Sequence, residues 1–499
     1  MEFVKRPMLV GAGLSIIASV AAFYFRSFIP LFAVMATAVI LIMVVFLKAD
    51  KRLLGVWIII LLVLFGSVRF YRKTETVERI SGQVSNVELT FCEDEQKRGK
   101  GYSSVVKVDC DGAPLDGSRL SLYSYNTGGY RQGDRIVAVI TVEPVDSKYR
   151  AGSYCDGVIG QCKIKSVEDK LSPDRFGADV GDIRRYVKDT LFSNLTPDCA
   201  ATILALVTGD RAYLSDELYT AVKNSGVSHV MVVSGLHLSI IMSAVYSLIS
   251  VFGKNRFVKA VVSVLAVLFI SAVCGFTMSI MRAGLMFIVA ALAPILGRDN
   301  DTVNSLGTAV VLIILHTPFA IFSVALQLSV LSTYGILVLA PEITGLFERK
   351  MHIKNKIVLA VFKMLAVTLS ASFMTFPVAV YYFGYISATA PITNILITHA
   401  VSVALVSTVI GLILSLVPAF TVVSDLIFIV CELLARYINY IIALLGRDDA
   451  VIIVGRWAVL PSVFLIGVAL QIINYCKKRD YLLKLKKLVK GGAVYGCNI

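Results

Sequence analysis

Long apolar stretches constrain this chain more than any other feature of its sequence. A helix needs about 20 apolar residues to cross a hydrocarbon core about 30 Å thick. The mean hydropathy of +0.78 excludes an ordinary soluble protein. We therefore predict a polytopic α-helical membrane protein with about 12 spans. The apolar runs lie at 8–25, 28–47, 53–70, 228–253, 258–274, 277–297, 303–317, 319–340, 357–381, 389–417, 419–445 and 452–475.

The net charge of +14 invites a nucleic-acid interpretation, but its distribution favours a membrane explanation first. If the N-terminus is cytoplasmic, alternating spans place nearly all basic connections on that side, as the positive-inside rule requires. The tail at 477–499 is basic and falls on the same side, where anionic lipid is its default partner. We thus predict a multi-pass cell-membrane protein with both termini cytoplasmic. The basic residues concerned are Lys48, Lys51, Arg52, Lys254, Arg256, Lys259, Arg298, Arg349, Lys350, Lys354 and Lys356.

Residues 75–172 differ from the flanking N-terminal membrane helices at 1–74, because they alternate polar and apolar residues in short stretches. Five strands separated by Gly, Asp and Asn turns predict a small β-barrel of the OB type, placed outside the membrane by the topology. Such barrels often bind single-stranded nucleic acid. Here 13 basic and 13 acidic residues in 79–170 cancel, so a structural or partner-docking role is favoured over DNA binding.

Four cysteines lie in this insert, and an oxidising exterior permits a disulfide. Four cysteines allow three pairings, of which Cys155–Cys162 is the most local; free thiols in the barrel core are the alternative. No CxxC spacing is present among Cys92, Cys110, Cys155 and Cys162, which argues against a metal site.

Residues 173–227 predict three short amphipathic or interfacial helices that lead into the following membrane domain at 228–476. IRRYVKDTLFSNL has apolar residues at helical spacing with basic residues on another face. CAATILALV begins after Pro197 and ends before Gly209. The third helix begins at Ser215, a good N-cap with acidic residues after it, and ends at Asn224 to Gly226.

HVMVVSGLHLSII, residues 229–241, places two histidines and a Ser-Gly pair in an apolar run. Ser234 and His237 are spaced i, i+3, but a third orienting residue for nucleophilic catalysis is not evident. His229 and His237 lie about 12 Å apart along a regular helix, too far to share one zinc ion unless Ser234-Gly235 breaks the helix. The structural alternative is that both histidines are neutral and hydrogen-bonded between helices. We favour a polar lining or gate that faces the helix bundle.

Arg282 lies within GFTMSIMRAGLMFIVAAL, with Ser279 one turn earlier. An arginine at that depth is costly unless it faces water, a partner or a substrate. Gln327 and Asn394 are further polar residues within apolar runs, and we predict that these three residues line one polar route with Ser234 and the two histidines.

The stretch at 204–241, LALVTGDRAYLSDELYTAVKNSGVSHVMVVSGLHLSII, closely resembles the hallmark of the ComEC competence family. Its H-x-x-x-x-S-G-x-H pattern falls on His229, Ser234, Gly235 and His237, and the surrounding motif includes Gly209, Asp210, Arg211, Asn224 and Gly226. The likeness continues through 275–283, 298–329 and 376–397. A hydrophobic N-terminal region followed by an external OB-like domain also belongs to that family.

The resemblance implies a channel that carries one strand of transforming DNA into the cytoplasm. It also implies a DNA receptor outside, and an ATPase motor and single-strand-binding proteins inside. Many relatives carry a C-terminal metallo-β-lactamase-like domain. No H-x-H occurs among the five histidines here, so we expect no such domain, no metal, no cofactor and no nuclease activity in this polypeptide. An intramembrane hydrolase and a small-solute transporter remain alternatives for the His229, Ser234 and His237 cluster.

Overall fold

The computed structural model describes residues 7–24, 51–98, 101–110, 115–125, 128–147, 149–231, 233–252, 255–297, 299, 301–351, 356–473 and 475. The predicted span at 28–47 and the predicted basic tail at 477–499 lie outside these residues. The helices are α1 (Pro7–Tyr24), α2 (Lys51–Arg79), α3 (Arg150–Cys155), α4 (Arg175–Asn194), α5 (Pro197–Thr208), α6 (Asp216–Asn224), α7 (Gly235–Phe252), α8 (Arg256–Val273), α9 (Met278–Leu292), α10 (Thr302–His316), α11 (Val324–Val338), α12 (Ala340–Met351), α13 (Lys356–Phe383), α14 (Ala390–Ser415), α15 (Thr421–Leu445) and α16 (Arg456–Ile473).

The described part of the chain has five helices long and apolar enough to cross a membrane, so the predicted count of 12 is not confirmed. Six other helices, α1, α5 and α7 to α10, have apolar stretches that are only 10–17 residues long. Proline explains two early ends, because α9 stops before Pro294 and α10 stops before Pro318. The chain is a multi-pass membrane protein whose helices differ in length. The five long segments are Val324–Gly345, Val358–Phe383, Ala390–Ser415, Pro418–Leu445 and Arg456–Ile473.

The insert forms the predicted closed five-stranded barrel. Its sheet order is β1-β5-β6-β4-β3, and β1 pairs with both β5 and β3, which closes the sheet on itself. The β4–β6 pairing is parallel and the others are antiparallel. A short strand, β2, extends the edge of β3. The strands are β1 (Val84–Phe91), β2 (Gln96–Arg98), β3 (Gly101–Asp109), β4 (Ser118–Ser124), β5 (Arg135–Pro144) and β6 (Val158–Leu171).

Helix α2 connects the barrel to the apolar helices. It continues beyond the boundary predicted at residue 75 and places Val77 in the barrel core with Leu89 and Phe91. Nearly two turns closer to the apolar helices, Tyr71 packs with Phe319, which follows α10, and with Tyr154 of α3. The barrel and the helical part therefore share buried aromatic contacts.

The three predicted helices between the barrel and the membrane domain are confirmed as α4, α5 and α6. The Ser215 side chain accepts from the Leu218 N–H, as its N-cap position predicts. Most of α5 is buried within the protein, and its position relative to the membrane interface stays a prediction. It packs with α14 and α15 in the largest apolar core, and small residues such as Ala200 and Ala205 permit the close contact.

Cys155 and Cys162, the most local candidate pair for a disulfide, are both free thiols in the structure. The Cys155 thiol donates to the Gly152 carbonyl within α3, whereas Cys162 lies in the barrel core. Cys155 is thus hydrogen-bonded within its own helix, and Cys162 packs among apolar side chains.

We expect iodoacetamide to leave Cys155 and Cys162 unmodified in the native protein and to modify both after denaturation. Burial raises the pKa of each thiol to about 12, which leaves very little thiolate at neutral pH. Peptide mass spectrometry measures the modification, with the more accessible Cys110 as the internal comparison. A disulfide-linked pair of peptides containing these two cysteines would show that this assignment is wrong.

We expect Gly307→Ala to lower the free energy of unfolding by about 1–3 kcal/mol. A Cβ atom there would lie 2.7 Å from the backbone of Met8 and Leu9, so α1 and α10 would have to separate. Thermal unfolding in detergent measures the effect. The matched control is Gly13→Ala in α1, where no atom lies within 4 Å of the added carbon. Equal stability of the two variants would contradict the close helix contact.

Candidate functional site

The run predicted as one helix at 228–253 is broken at the Ser-Gly pair. Residues 227–231 and 233–234 are irregular, and α7 begins at Gly235. Its first backbone bond of the helical type runs from the Leu238 N–H to the Ser234 carbonyl, 3.2 Å long. His229 and His237 therefore do not lie on one regular helix.

Ser234 and His237 cap the start of α7. The Nδ1 atom of His237 accepts from the Ser234 backbone N–H at 3.1 Å and lies 2.9 Å from the Ser234 Oγ. This is the reach-back contact of a capping box, with histidine at the third helical position. Since Nδ1 accepts a backbone hydrogen, the neutral ring carries its proton on Nε2. That atom is buried and has no partner among the described residues.

Arg282 lies directly behind this helix start. It belongs to α9 and is only 6% exposed. A Cβ atom on Gly235 would lie 2.6 Å from Nη2 of Arg282, so the glycine leaves the space that the guanidinium occupies. The Nε of Arg282 donates to the Ser329 hydroxyl at 2.8 Å, and Ser329 lies 3.0 Å from the Ser279 hydroxyl. Helices α7, α9 and α11 thus meet at one polar cluster.

His229 is placed differently from the other residues of its motif. Its side chain is exposed, although Val227, Val230 and Met231 around it are buried. It therefore borders a space beside the buried cluster that the described residues leave unfilled. No hydrogen bond joins it to Ser234 or His237 within the described residues.

Gln327 and Asn394 do not join the cluster by hydrogen bonds in the described part of the chain. Gln327 lies two positions before Ser329, but its amide donates to the Ile321 carbonyl at 2.8 Å and stabilises the turn before α11. Asn394 is half-buried in the first turns of α14. Their position along a polar route stays a prediction.

The motif residues before the cluster shape turns. Gly209 ends α5 in the left-handed conformation, with φ of 83°, and a Cβ atom there would lie 3.4 Å from the side chain of Val233, just before the capping residues. The Asp210 carboxylate accepts from the Ala212 N–H and fixes the same turn. The neighbouring Arg211 is half-buried there.

Asn224 and Gly226 dock the end of α6 on a distant part of the chain. The Asn224 amide donates to the Asp448 carboxylate at 3.0 Å. Gly226 has φ of 73°, and a Cβ there would lie 2.6 Å from the Ala390 Cβ. Sequence reasoning missed Asp448, because a buried asparagine indicates a partner without indicating where in the chain it lies.

The cluster contains part of what a hydrolase would need. The Ser234 hydroxyl lies within hydrogen-bond reach of His237, but no group among the described residues orients the other ring nitrogen. No group of three or more His, Cys, Asp or Glu residues in the described ranges could hold a metal ion.

Comparison with known proteins relates the chain to competence proteins. The family model described as "Competence: Competence protein" matches residues 206–479. ComE operon protein 3 of Bacillus subtilis (strain 168) is 23% identical over 331 residues, which are 66% of this chain and 41% of that protein. The matched region thus covers less than half of that relative's length. No solved structure matches the chain.

We expect Asn224→Ala to lower the free energy of unfolding by about 1 kcal/mol, because it removes a partly buried hydrogen bond to a carboxylate. Membrane abundance and thermal unfolding measure the loss. The control is Asn194→Ala, since the exposed Asn194 amide donates to the Thr190 carbonyl within its own helix. If Asn224 serves only to dock α6, the variant keeps the parent chain's activity per folded molecule. A loss of activity at full membrane abundance would contradict a role limited to docking.

Proposed function

The chain belongs to the Competence protein family, and on that premise we propose that it conducts single-stranded DNA across the cell membrane during DNA uptake. In this proposal the barrel lies outside, the basic connections lie in the cytoplasm, and the helical part provides the route. A receptor that delivers DNA, and a cytoplasmic motor or single-strand-binding protein that receives it, are proposed partners.

The observation that carries the proposal is the buried polar cluster around Arg282. A strand cannot cross a bilayer without a polar, water-filled route, because its phosphates cannot be desolvated. Charged groups within membrane segments are costly and mark the paths of ions and substrates. Arg282, Ser234 and His237 occupy such a position at the meeting of α7, α9 and α11.

The short helix α9 and the irregular segment before α7 support a water-filled route. Helix α9 has 15 residues. At about 1.5 Å per residue it spans roughly 22 Å, less than the hydrocarbon core of about 30 Å. Helix α7 likewise begins only after an irregular segment that exposes His229. Irregular backbone at membrane depth is tolerated where it lines a water-filled cavity or is covered by protein.

The barrel supports a docking role more than a DNA-binding one. Tyr123 and Tyr125 meet edge to face with ring centroids 5.4 Å apart, and Tyr125 is exposed. Aromatic side chains of this kind stack on bases in single-strand-binding barrels. The insert, however, has equal numbers of basic and acidic residues, so its net charge does not favour a polyanion, and we assign the barrel to partner docking.

An intramembrane hydrolase is the second candidate, and the 2.9 Å approach of the Ser234 hydroxyl to His237 favours it. The two candidates differ in what Ser234→Ala does. A hydrolase loses its nucleophile, whereas a channel keeps the backbone N–H that holds His237.

We expect Arg282→Ala to reduce uptake of labelled DNA about tenfold or more, the loss of at least one charge-assisted hydrogen bond. The double variant His229→Ala with His237→Ala should reduce uptake as well, and Ser234→Ala should not. Membrane abundance of each variant is measured in the same cells. Arg436→Ala is the control, because that arginine is exposed and pairs with Glu432. Normal uptake in both the arginine and the histidine variants would refute this route, and loss in Ser234→Ala alone would favour the hydrolase.

A further inference from the structure

Arg282 lies beside the N-terminus of α7, where the electrostatic potential is already positive. Its guanidinium rests against Gly235, the first residue of α7. The N-terminus of a helix carries the equivalent of about half a positive charge, because its first N–H groups have no acceptor within the helix. A cation in this position is repelled by the helix. A bound anion would therefore offset the positive charge of both the helix N-terminus and the guanidinium.

No carboxylate among the described residues forms an ion pair with Arg282. Its Nε and Nη1 donate to uncharged atoms, the Ser329 Oγ and the Met286 Sδ. The carboxylate of the adjacent 209–211 turn, Asp210, accepts from Ala212 instead. With only 6% of its surface exposed, the arginine is also largely removed from water.

Several donors at the same place lack acceptors. The backbone N–H groups of Gly235, Leu236 and His237 precede the first helical bond, which is made by Leu238. Among the described residues no acceptor meets them. The Nε2 atom of the completely buried His237 is another donor without a partner in that part of the chain.

The helix start is reachable although the arginine behind it is buried. Ser234 and Gly235 are half-buried, and Leu236 and His229 are exposed. An anion can therefore reach the first turn of α7 from the side on which His229 is accessible.

We infer that the first turn of α7 and Arg282 form a binding site for one phosphate group, supplied by the backbone of the strand being carried. Backbone N–H groups at a helix start and a guanidinium are the two donor types that recognise phosphate oxygens best. The inference rests on the proposed function for the source of the phosphate, and on the residues themselves for the anion. It also explains Gly235, because a Cβ there would displace the guanidinium.

The test uses the purified full chain in detergent. Thermal unfolding is measured with and without inorganic phosphate, and affinity for a short oligothymidylate is measured across a range of salt. An oligothymidylate with an uncharged methylphosphonate backbone and micelles containing phosphatidylglycerol are the other probes. The variants are Arg282→Gln, Arg282→Lys and Gly235→Ala. The control is Arg436→Gln, which removes an exposed arginine that already pairs with Glu432.

We expect phosphate to stabilise the parent chain and Arg436→Gln but not Arg282→Gln. Arg282→Gln should bind oligothymidylate about tenfold more weakly. Its slope of log affinity against log salt should fall by about 0.7, one phosphate contact on a single strand. Arg282→Lys should retain the slope. Gly235→Ala keeps the arginine but displaces its guanidinium, so it should weaken oligothymidylate binding while the protein stays folded. The uncharged analogue should not distinguish parent from Arg282→Gln.

The two levels of the inference fail separately. Phosphate stabilisation that is absent, or unchanged in Arg282→Gln and Gly235→Ala, overturns the anion site whatever the chain does with DNA. Stabilisation that depends on Arg282, with oligothymidylate affinity that does not, supports the anion site and overturns the strand as its source. Arg282-dependent stabilisation by phosphatidylglycerol alone would assign the phosphate to lipid.

Discussion

A guanidinium among apolar helices needs polar contacts, and the structure around Arg282 follows from that requirement. The Ser329 hydroxyl of α11 accepts from the guanidinium, and the Ser279 hydroxyl of α9 contacts Ser329 in turn. The missing side chain of Gly235 supplies the space. A shift of α11 relative to α9 would remove the Ser329 contact, and burial of an unsatisfied charge is costly in a protein interior. The polar cluster thus fixes the relative position of α7, α9 and α11.

The break at Ser234 and Gly235 serves the same arrangement. A continuous helix through residues 228–253 would satisfy its own N–H groups and present none of them to the cluster. Because the helix begins at Gly235, its first turn opens beside Arg282, and His237 turns back to hold the Ser234 N–H. The motif that looks catalytic in the sequence is therefore first of all a helix start. Its chemistry comes from exposed backbone donors as much as from its side chains.

The parts of the molecule are joined by packing as well as by the chain. Helix α2 enters the barrel core through Val77 and meets Tyr154 and Phe319 through Tyr71. Helix α5 packs with α14 and α15 in a buried apolar core. The turn that ends α5 at Gly209 lies beside Val233, so the buried core extends to the residues that cap α7. A change in α5 thus has a structural path to the residues that cap α7.

The sequence by itself determined the membrane class, the barrel, the N-cap at Ser215 and the polar residues at issue, because those features depend on composition and on neighbours three or four positions away. It did not determine which partners the polar residues meet. Asn224 bonds Asp448, Arg282 bonds Ser329, and Cys155 and Cys162 remain apart, all through contacts set by packing of distant segments. The predicted count of 12 spans was not confirmed among the described residues, since an apolar run measures hydrophobicity and not where a helix begins. Only the tertiary structure showed that the buried Arg282 lies against the start of α7. Nothing in the local sequence of either segment indicates that the two segments are in contact.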